Sequence, residues 1–311
     1  MPEHRPPVID LETRRQLYAE ELRAVANLRS SALVQAFAIV RRESFLGPGP
    51  WQIVVPAAPG EIAYRTTDDA DPRHLYHNVL VGIDPARRLN NGQPSSLALW
   101  LDALELREGD HTVHIGCGVG YYTAIMAEIV GSSGHVTAVE LDPELAARAR
   151  TNLRGWPQVA VIQGDGSTYD PGPGDAIFVN AGATHPCTVW LDALRPGGRL
   201  LVPLTVATGR SGHGGGGMLK VTRQPSGLRA SFISQVGIYP CIGGRDPAVN
   251  DQLQEAFRRP AWKAVQSLRR EPHVPTETCW LHLRDFCLST AAVPMDGPIE
   301  QSDSPASVKS P

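Results

Sequence analysis

The stretch Val113-His114-Ile115-Gly116-Cys117-Gly118-Val119-Gly120-Tyr121-Tyr122-Thr123-Ala124 admits few folds. An apolar run, three glycines at alternate positions and a helix-forming sequence read as a buried strand, a tight turn and the first turn of a helix. Glycines so spaced let the backbone turn sharply and let a ligand approach without interference from a Cβ. A dinucleotide turn instead has the spacing G-x-G-x-x-G, whose last glycine allows helix and strand to pack closely. Here that position is Tyr121. The compressed spacing points to a nucleoside site of another kind.

The segments after this turn alternate: strand 111–115, helix 122–130, strand 135–140, helix 143–153, strands 159–163 and 176–180, helix 188–194 and strand 199–203. Such alternation implies a mostly parallel sheet with helices on both faces. Upstream, helices are expected over 10–28 and from Ser30-Ser31 through Leu33, Val34, Phe37 and Val40. Pro48, Gly49 and Pro50 then break the chain, and loops with short strands at 53–55 and 79–81 follow. A further helix starts near Pro94 with Leu97, Trp100, Leu101 and Leu104 on its apolar face, preceded by the polar turn Leu89-Asn90-Asn91-Gly92-Gln93. After Thr205 the character changes. A glycine-rich loop over 207–217 leads to strands 218–223 and 228–236 around Gln224-Pro225-Ser226-Gly227, an antiparallel edge. Residues 247–270 read as helical, 278–283 as a last apolar segment, and the final twenty as disordered. The organisation expected is an N-terminal helical and loop region (1–88), a ligand-binding core (89–236), a C-terminal extension (237–290) and a tail (291–311).

With 311 residues, 42% apolar, and a formal charge of −3, the chain carries no electrostatic footprint for nucleic acid. Its basic cluster Arg258, Arg259, Lys263, Arg269 and Arg270 is expected to form a solvated helix face. No apolar run reaches the ~18 residues that span a bilayer, and Met1-Pro2-Glu3-His4-Arg5-Pro6-Pro7 lacks a signal core, so a cytoplasmic location and no membrane partner are expected. The five cysteines include no C-x-x-C pair, which indicates neither a disulfide framework nor a metal site. Cys117 reads as a small residue that fits the turn. The sequence does not specify an oligomeric state.

Ligands of parallel sheets sit beyond the carboxyl ends of the strands. Four positions there line up: the Gly116-Gly118-Gly120 turn; Glu140, whose carboxylate can accept two ribose hydroxyls; Gly164-Asp165-Gly166, where Asp165 can accept an adenine amino group; and Asn180-Ala181-Gly182-Ala183. Glycine spacing and acidic strand ends in this order are the pattern of S-adenosylmethionine sites. The cofactor set is Gly116, Cys117, Gly118, Gly120, Tyr121, Glu140, Leu141, Asp165, Gly166 and Asn180.

Together with Arg41-Arg42-Glu43-Ser44-Phe45, the Gln93-Pro94 helix start, the run 115–123 and Leu194-Arg195-Pro196-Gly197-Gly198-Arg199-Leu200-Leu201-Val202-Pro203, this set resembles the protein-L-isoaspartate O-methyltransferase family over roughly residues 15–205. The resemblance implies a Rossmann-like class I methyltransferase fold, S-adenosylmethionine as cofactor and a protein or peptide carboxylate as acceptor. It also exposes a departure. The family places threonine, an aliphatic residue and serine before this proline step, with the serine hydroxyl at the accepting carboxylate; here stand Asn90, Asn91 and Gly92. Asn90, Asn91 or Ser95 are the replacement donors, and Gly92 suggests room for a bulkier acceptor, such as a specialised ribosomally made peptide. A carboxylate is ionised at neutral pH and needs no general base. The alternatives are a small-molecule acceptor with His185 as base, or an inactive cofactor-binding module.

Overall fold

Successive residues of the strand Gly174–Val179 feed two different cores. Ala176 and Phe178 pack among helices on one face, Ile177 and Val179 among those on the other. A strand buried on both faces is what a helix-covered parallel sheet requires. The computed structural model describes residues 9–57, 62–207 and 214–293.

In chain order the helices are α1 (Leu11–Ala26), α2 (Ser31–Ile39), α3 (Glu43–Leu46), α4 (Pro94–Leu104), α5 (Tyr121–Val130), α6 (Pro143–Asn152), α7 (Thr188–Asp192) and α8 (Pro247–Arg258). The strands are β1 (Gln52–Val55), β2 (Ala63–Thr66), β3 (Gly82–Asp84), β4 (Leu89–Asn90), β5 (His111–Ile115), β6 (His135–Glu140), β7 (Val159–Gln163), β8 (Gly174–Val179), β9 (Leu194–Ala207), β10 (Gly214–Gln224), β11 (Gly227–Ile238), β12 (Ser267–Arg269), β13 (Cys279–His282) and β14 (Cys287–Ser289). Ten of them form one sheet in the order β13-β14-β12-β11-β10-β9-β8-β5-β6-β7. Pairing is parallel from β7 to β9 and antiparallel from β9 outward. The chain leaves β5 toward β6 on one side and returns to β8 on the other, so a crevice opens at the carboxyl ends of these strands. The fold is thus the expected Rossmann-like one with an antiparallel edge.

Several expectations need correction. The segment 207–217 is not one loop, because Gly214 to Gly217 pair with both β9 and β11, and the ring of Phe232 lies where a side chain at Gly217 would go; residues 208–213 of that segment lie outside the described residues. Residues 247–270 are not one helix: Pro260 cannot donate to the helical ladder, α8 stops at Arg258, and Ser267–Arg269 joins the sheet beside Leu228 and Arg229. The basic cluster is accordingly not a single solvated face, since Arg259 donates to the carbonyl of Trp280 and Arg270 pairs with Asp192 at 2.5 Å. Residues 79–81 supply only a bridge from Val81 to Ile53. Of the tail expected to be disordered, residues 294–311 lie outside the described residues. Among the described residues no helix is long and apolar enough to cross a membrane.

The helices that position the crevice are tied by buried polar groups. Asp102 of α4 accepts from the backbone N–H of Arg29 (3.0 Å) and Ser30 (2.8 Å), anchoring the start of α2, where Ser30 Oγ accepts from Leu33 N. Arg199 of β9 donates to the carbonyls of Leu104 (3.0 Å) and Glu105 (2.7 Å), closing the end of α4. Arg42 is fully buried. Its guanidinium donates to the carbonyls of Leu75 (2.6 Å), His77 (3.2 Å) and Val79 (2.7 Å) and to Asn91 Oδ1 (3.0 Å). Arg42→Met would strand these acceptors and is expected to destabilise the chain by about 3 kcal/mol or more. Denaturant unfolding checks this; a loss below about 1 kcal/mol would show that the acceptors find other donors.

Candidate active site

The crevice is a cavity of about 910 Å³. One wall is the glycine turn. Gly116 N and Cys117 N both donate to Val139 O, at 2.8 and 3.2 Å, which bends the chain from β5 back toward β6. A Cβ built on Gly118 would meet nothing within 4 Å, so this side of the turn is open for a ligand. Glu140, at the end of β6, accepts from Gly118 N at 2.7 Å and from Asp142 N at 3.0 Å. Each oxygen keeps a second lone pair. Burial raises its pKa, while the Asp142 and Gly118 N–H groups pull it down. Asp165 Oδ1 accepts from Ser167 N (2.9 Å) and Oγ (2.7 Å), and Asn180 N donates to Ile115 O at 2.8 Å. Burial pushes the Cys117 thiol up, which suits a packing role.

The opposite wall is the turn before α4. Asn91 is buried and lines the cavity. Its Oδ1 accepts from Arg42, so the amide nitrogen takes the other side, and that buried Nδ2 has no hydrogen-bond partner. Asn90, by contrast, is engaged: its Oδ1 accepts from Tyr64 (2.8 Å) and its Nδ2 donates to Arg88 O (3.0 Å). Gly92 does not leave room for a bulkier acceptor. Its φ of +82° is left-handed, and an added Cβ would lie 2.8 Å from Leu97 Cδ2. The glycine is there for the backbone.

Of the residues singled out from sequence, Asn90, Asn91, Gly92, Gly116, Cys117, Gly118, Tyr121, Glu140, Leu141, Asp165, Gly166 and Asn180 all line this cavity. Gly120, Ser95 and His185 are not among its lining residues. Gly120 faces Leu153, and Ser95 N donates to Asn78 Oδ1 at 3.0 Å. His185 turns to Phe286, their rings stacked at 6.4 Å, with Nδ1 3.0 Å from Thr184 Oγ1. Burial lowers its pKa against the opposing charges of Asp246 and Asp285.

Sequence reasoning missed the mouth. Gln235, Tyr239 and Ile242, from the end of β11 onward, line the cavity together with Arg87 and Asp142, which pair at 2.7 Å. Tyr239 OH donates to the carbonyl of Arg88, joining the C-terminal part to the turn before β4. No local pattern marks this closure, because it joins segments about 150 residues apart.

Residues 13–211 match the family model described as Protein-L-isoaspartate(D-aspartate) O-methyltransferase (PCMT). The chain is 39% identical over 184 residues to Protein-L-isoaspartate O-methyltransferase 1 of Archaeoglobus fulgidus, covering 55% of this chain and 82% of that one. It is 33% identical over 205 residues to the protein of the same family name from Hyperthermus butylicus, covering 62% and 75%. A solved Plasmodium falciparum structure, described as a protein-L-isoaspartate O-methyltransferase in complex with S-adenosyl-L-homocysteine, superposes with a TM-score of 0.54 at 16% identity, covering 73% of this chain and 97% of that one. At that identity the likeness shows the fold. Restoring a hydroxyl by Gly92→Ser would force a left-handed serine against Leu97, and a loss of about 1–2 kcal/mol is expected. Thermal unfolding unchanged by the substitution would contradict the steric reading.

Proposed function

The chain belongs to the protein-L-isoaspartate O-methyltransferase family, and on that premise we propose that it methylates the side-chain carboxylate of an aspartyl or isoaspartyl residue in a protein or peptide. The observation that carries the reading is one cavity lined by Gly118, Glu140 and Asp165 together with Asn91, whose Nδ2 has no hydrogen-bond partner. An amide N–H is a suitable donor to a carboxylate, and here it replaces the family's serine hydroxyl.

The residues present fit S-adenosylmethionine. Gly118 is open to a ligand, and the Glu140 carboxylate lines the same cavity with lone pairs to spare. Glu140 would hold the ribose hydroxyls, Asp165 the adenine amino group, and the backbone of Gly116 to Gly118 would lie against the amino-acid portion. When bound, the cofactor supplies an electrophilic methyl group on a sulfonium. The chain's task is then positioning. Asn91 would orient the acceptor oxygen, while Val54, Leu80, Ile83 and Leu89 around it displace water from the nucleophile. No proton has to be removed, in keeping with the absence of His185 from the cavity lining. The small-molecule reading that relied on His185 as base loses its support.

Incubation with methyl-labelled S-adenosylmethionine and matched aspartyl and isoaspartyl peptides should place label in a base-labile ester; alkali-stable label would contradict carboxyl transfer. Asn91→Asp keeps an acceptor for Arg42 but removes the donor, so kcat/KM for the peptide should fall about 10- to 100-fold (~1.4–2.7 kcal/mol) with cofactor affinity unchanged. A change below twofold would remove Asn91 from the site. Because burial raises the Glu140 pKa, S-adenosyl-L-homocysteine binding should weaken as pH falls through a range above that of an ordinary glutamate. Calorimetry on Glu140→Gln should show weaker binding without this pH dependence; retained dependence would place the titrating group elsewhere.

A further inference from the structure

Beyond the family match, which ends at residue 211, four side chains converge at the outer end of the sheet. His273 comes from the segment before β13, Cys279 and His282 from β13, and Cys287 from β14. One potential ligand atom from each lies within 4.8 Å of the other three. His282 and Cys287 are cross-strand partners, Cys279 Sγ is 3.6 Å from His273 Nε2, and the two imidazoles meet edge to face at 4.8 Å.

Hydrogen bonding turns one nitrogen lone pair inward and leaves a second ring nitrogen unpartnered. His273 Nδ1 lies 2.9 Å from the carbonyl oxygen of Glu271, which can only accept. In the neutral ring the proton therefore sits on Nδ1, and Nε2 faces Cys279 as a bare lone pair. A hydrogen bond from the remote ring nitrogen to a backbone carbonyl is how proteins orient a metal-ligating histidine. His282 Nδ1 is buried and has no hydrogen-bond partner. The sulfur is prepared as well, since Thr276 N donates to Cys279 Sγ at 3.3 Å.

We propose that His273, Cys279, His282 and Cys287 form a structural zinc site. Two thiolates and two imidazoles are the donor set of tetrahedral zinc; a site for calcium or magnesium would need oxygen ligands. Bonds of about 2.3 Å to sulfur and 2.0–2.1 Å to nitrogen put ligand atoms roughly 3.3–3.8 Å apart, so the present spacing closes with side-chain adjustments of under about 1 Å. Four protein ligands leave no open position, which makes the site structural. The ion would clamp residues 270–278 to the β13–β14 hairpin at the sheet edge. That hairpin carries Phe286 to the ring of His185, on the loop that follows β8. The spacing H-x5-C-x2-H-x4-C mixes ligand types across a loop and two strands, so a search for C-x-x-C pairs passes over it.

The test uses the full chain purified without a histidine tag or chelator. Metal analysis should find one zinc per chain, and cobalt substitution should give tetrahedral d–d bands with sulfur-to-metal charge transfer. Cys279→Ser with Cys287→Ser should bring zinc to background, while Cys187→Ala should retain it. Wild-type protein that takes up neither metal after dialysis against zinc or cobalt would overturn the proposal. So would a Cys279–Cys287 disulfide in freshly purified protein, or equal zinc loss in Cys187→Ala. The wild-type cobalt spectrum decides the matter even if the double variant fails to fold.

Discussion

A buried guanidinium sets the geometry of the cavity wall before α4. Arg42 has no access to water, and its charge is tolerable only because three carbonyls and the Asn91 oxygen solvate it. The same contacts gather residues 75–79, which have no regular strand of their own, around the turn before α4. They also decide which way the Asn91 amide points. An amide's oxygen and nitrogen are normally interchangeable in shape, but a cationic donor on one side admits only the oxygen there. The N–H pair is thereby turned to the other side, where it has no protein partner.

The two walls of the cavity are built by different means. On the wall proposed to hold the cofactor, each residue follows directly from its strand: Gly116 and Gly118 after β5, Glu140 at the end of β6, Asp165 after β7, Asn180 after β8. Hydrogen bonds between neighbours, such as Gly118 N to Glu140, keep them in register. The wall before α4 instead depends on contacts across the N-terminal region, and its rim depends on Tyr239 reaching back to Arg88.

This division also explains what could be read from the residues alone. Strands 111–115, 135–140 and 159–163 and the cavity-lining positions at their ends follow from local pattern, because period and turn chemistry act over a few residues. Asn91 was within reach as a donor, but its orientation belongs to Arg42, 49 residues earlier. Gly92 was read as space when it serves a left-handed backbone, a distinction that depends on φ and not on residue size. His185 stands in a loop beside the site, yet its ring is drawn away to Phe286 by the C-terminal hairpin. The basic cluster looked like one helix face until Pro260 divided it.

The most direct measurement is a crystal structure of the chain with S-adenosyl-L-homocysteine and an aspartyl or isoaspartyl peptide. The acceptor carboxylate should accept from Asn91 Nδ2 at about 2.7–3.2 Å, with the nucleoside hydroxyls on Glu140. A carboxylate held elsewhere, with Asn91 Nδ2 still unpartnered, would contradict the assignment of the acceptor wall.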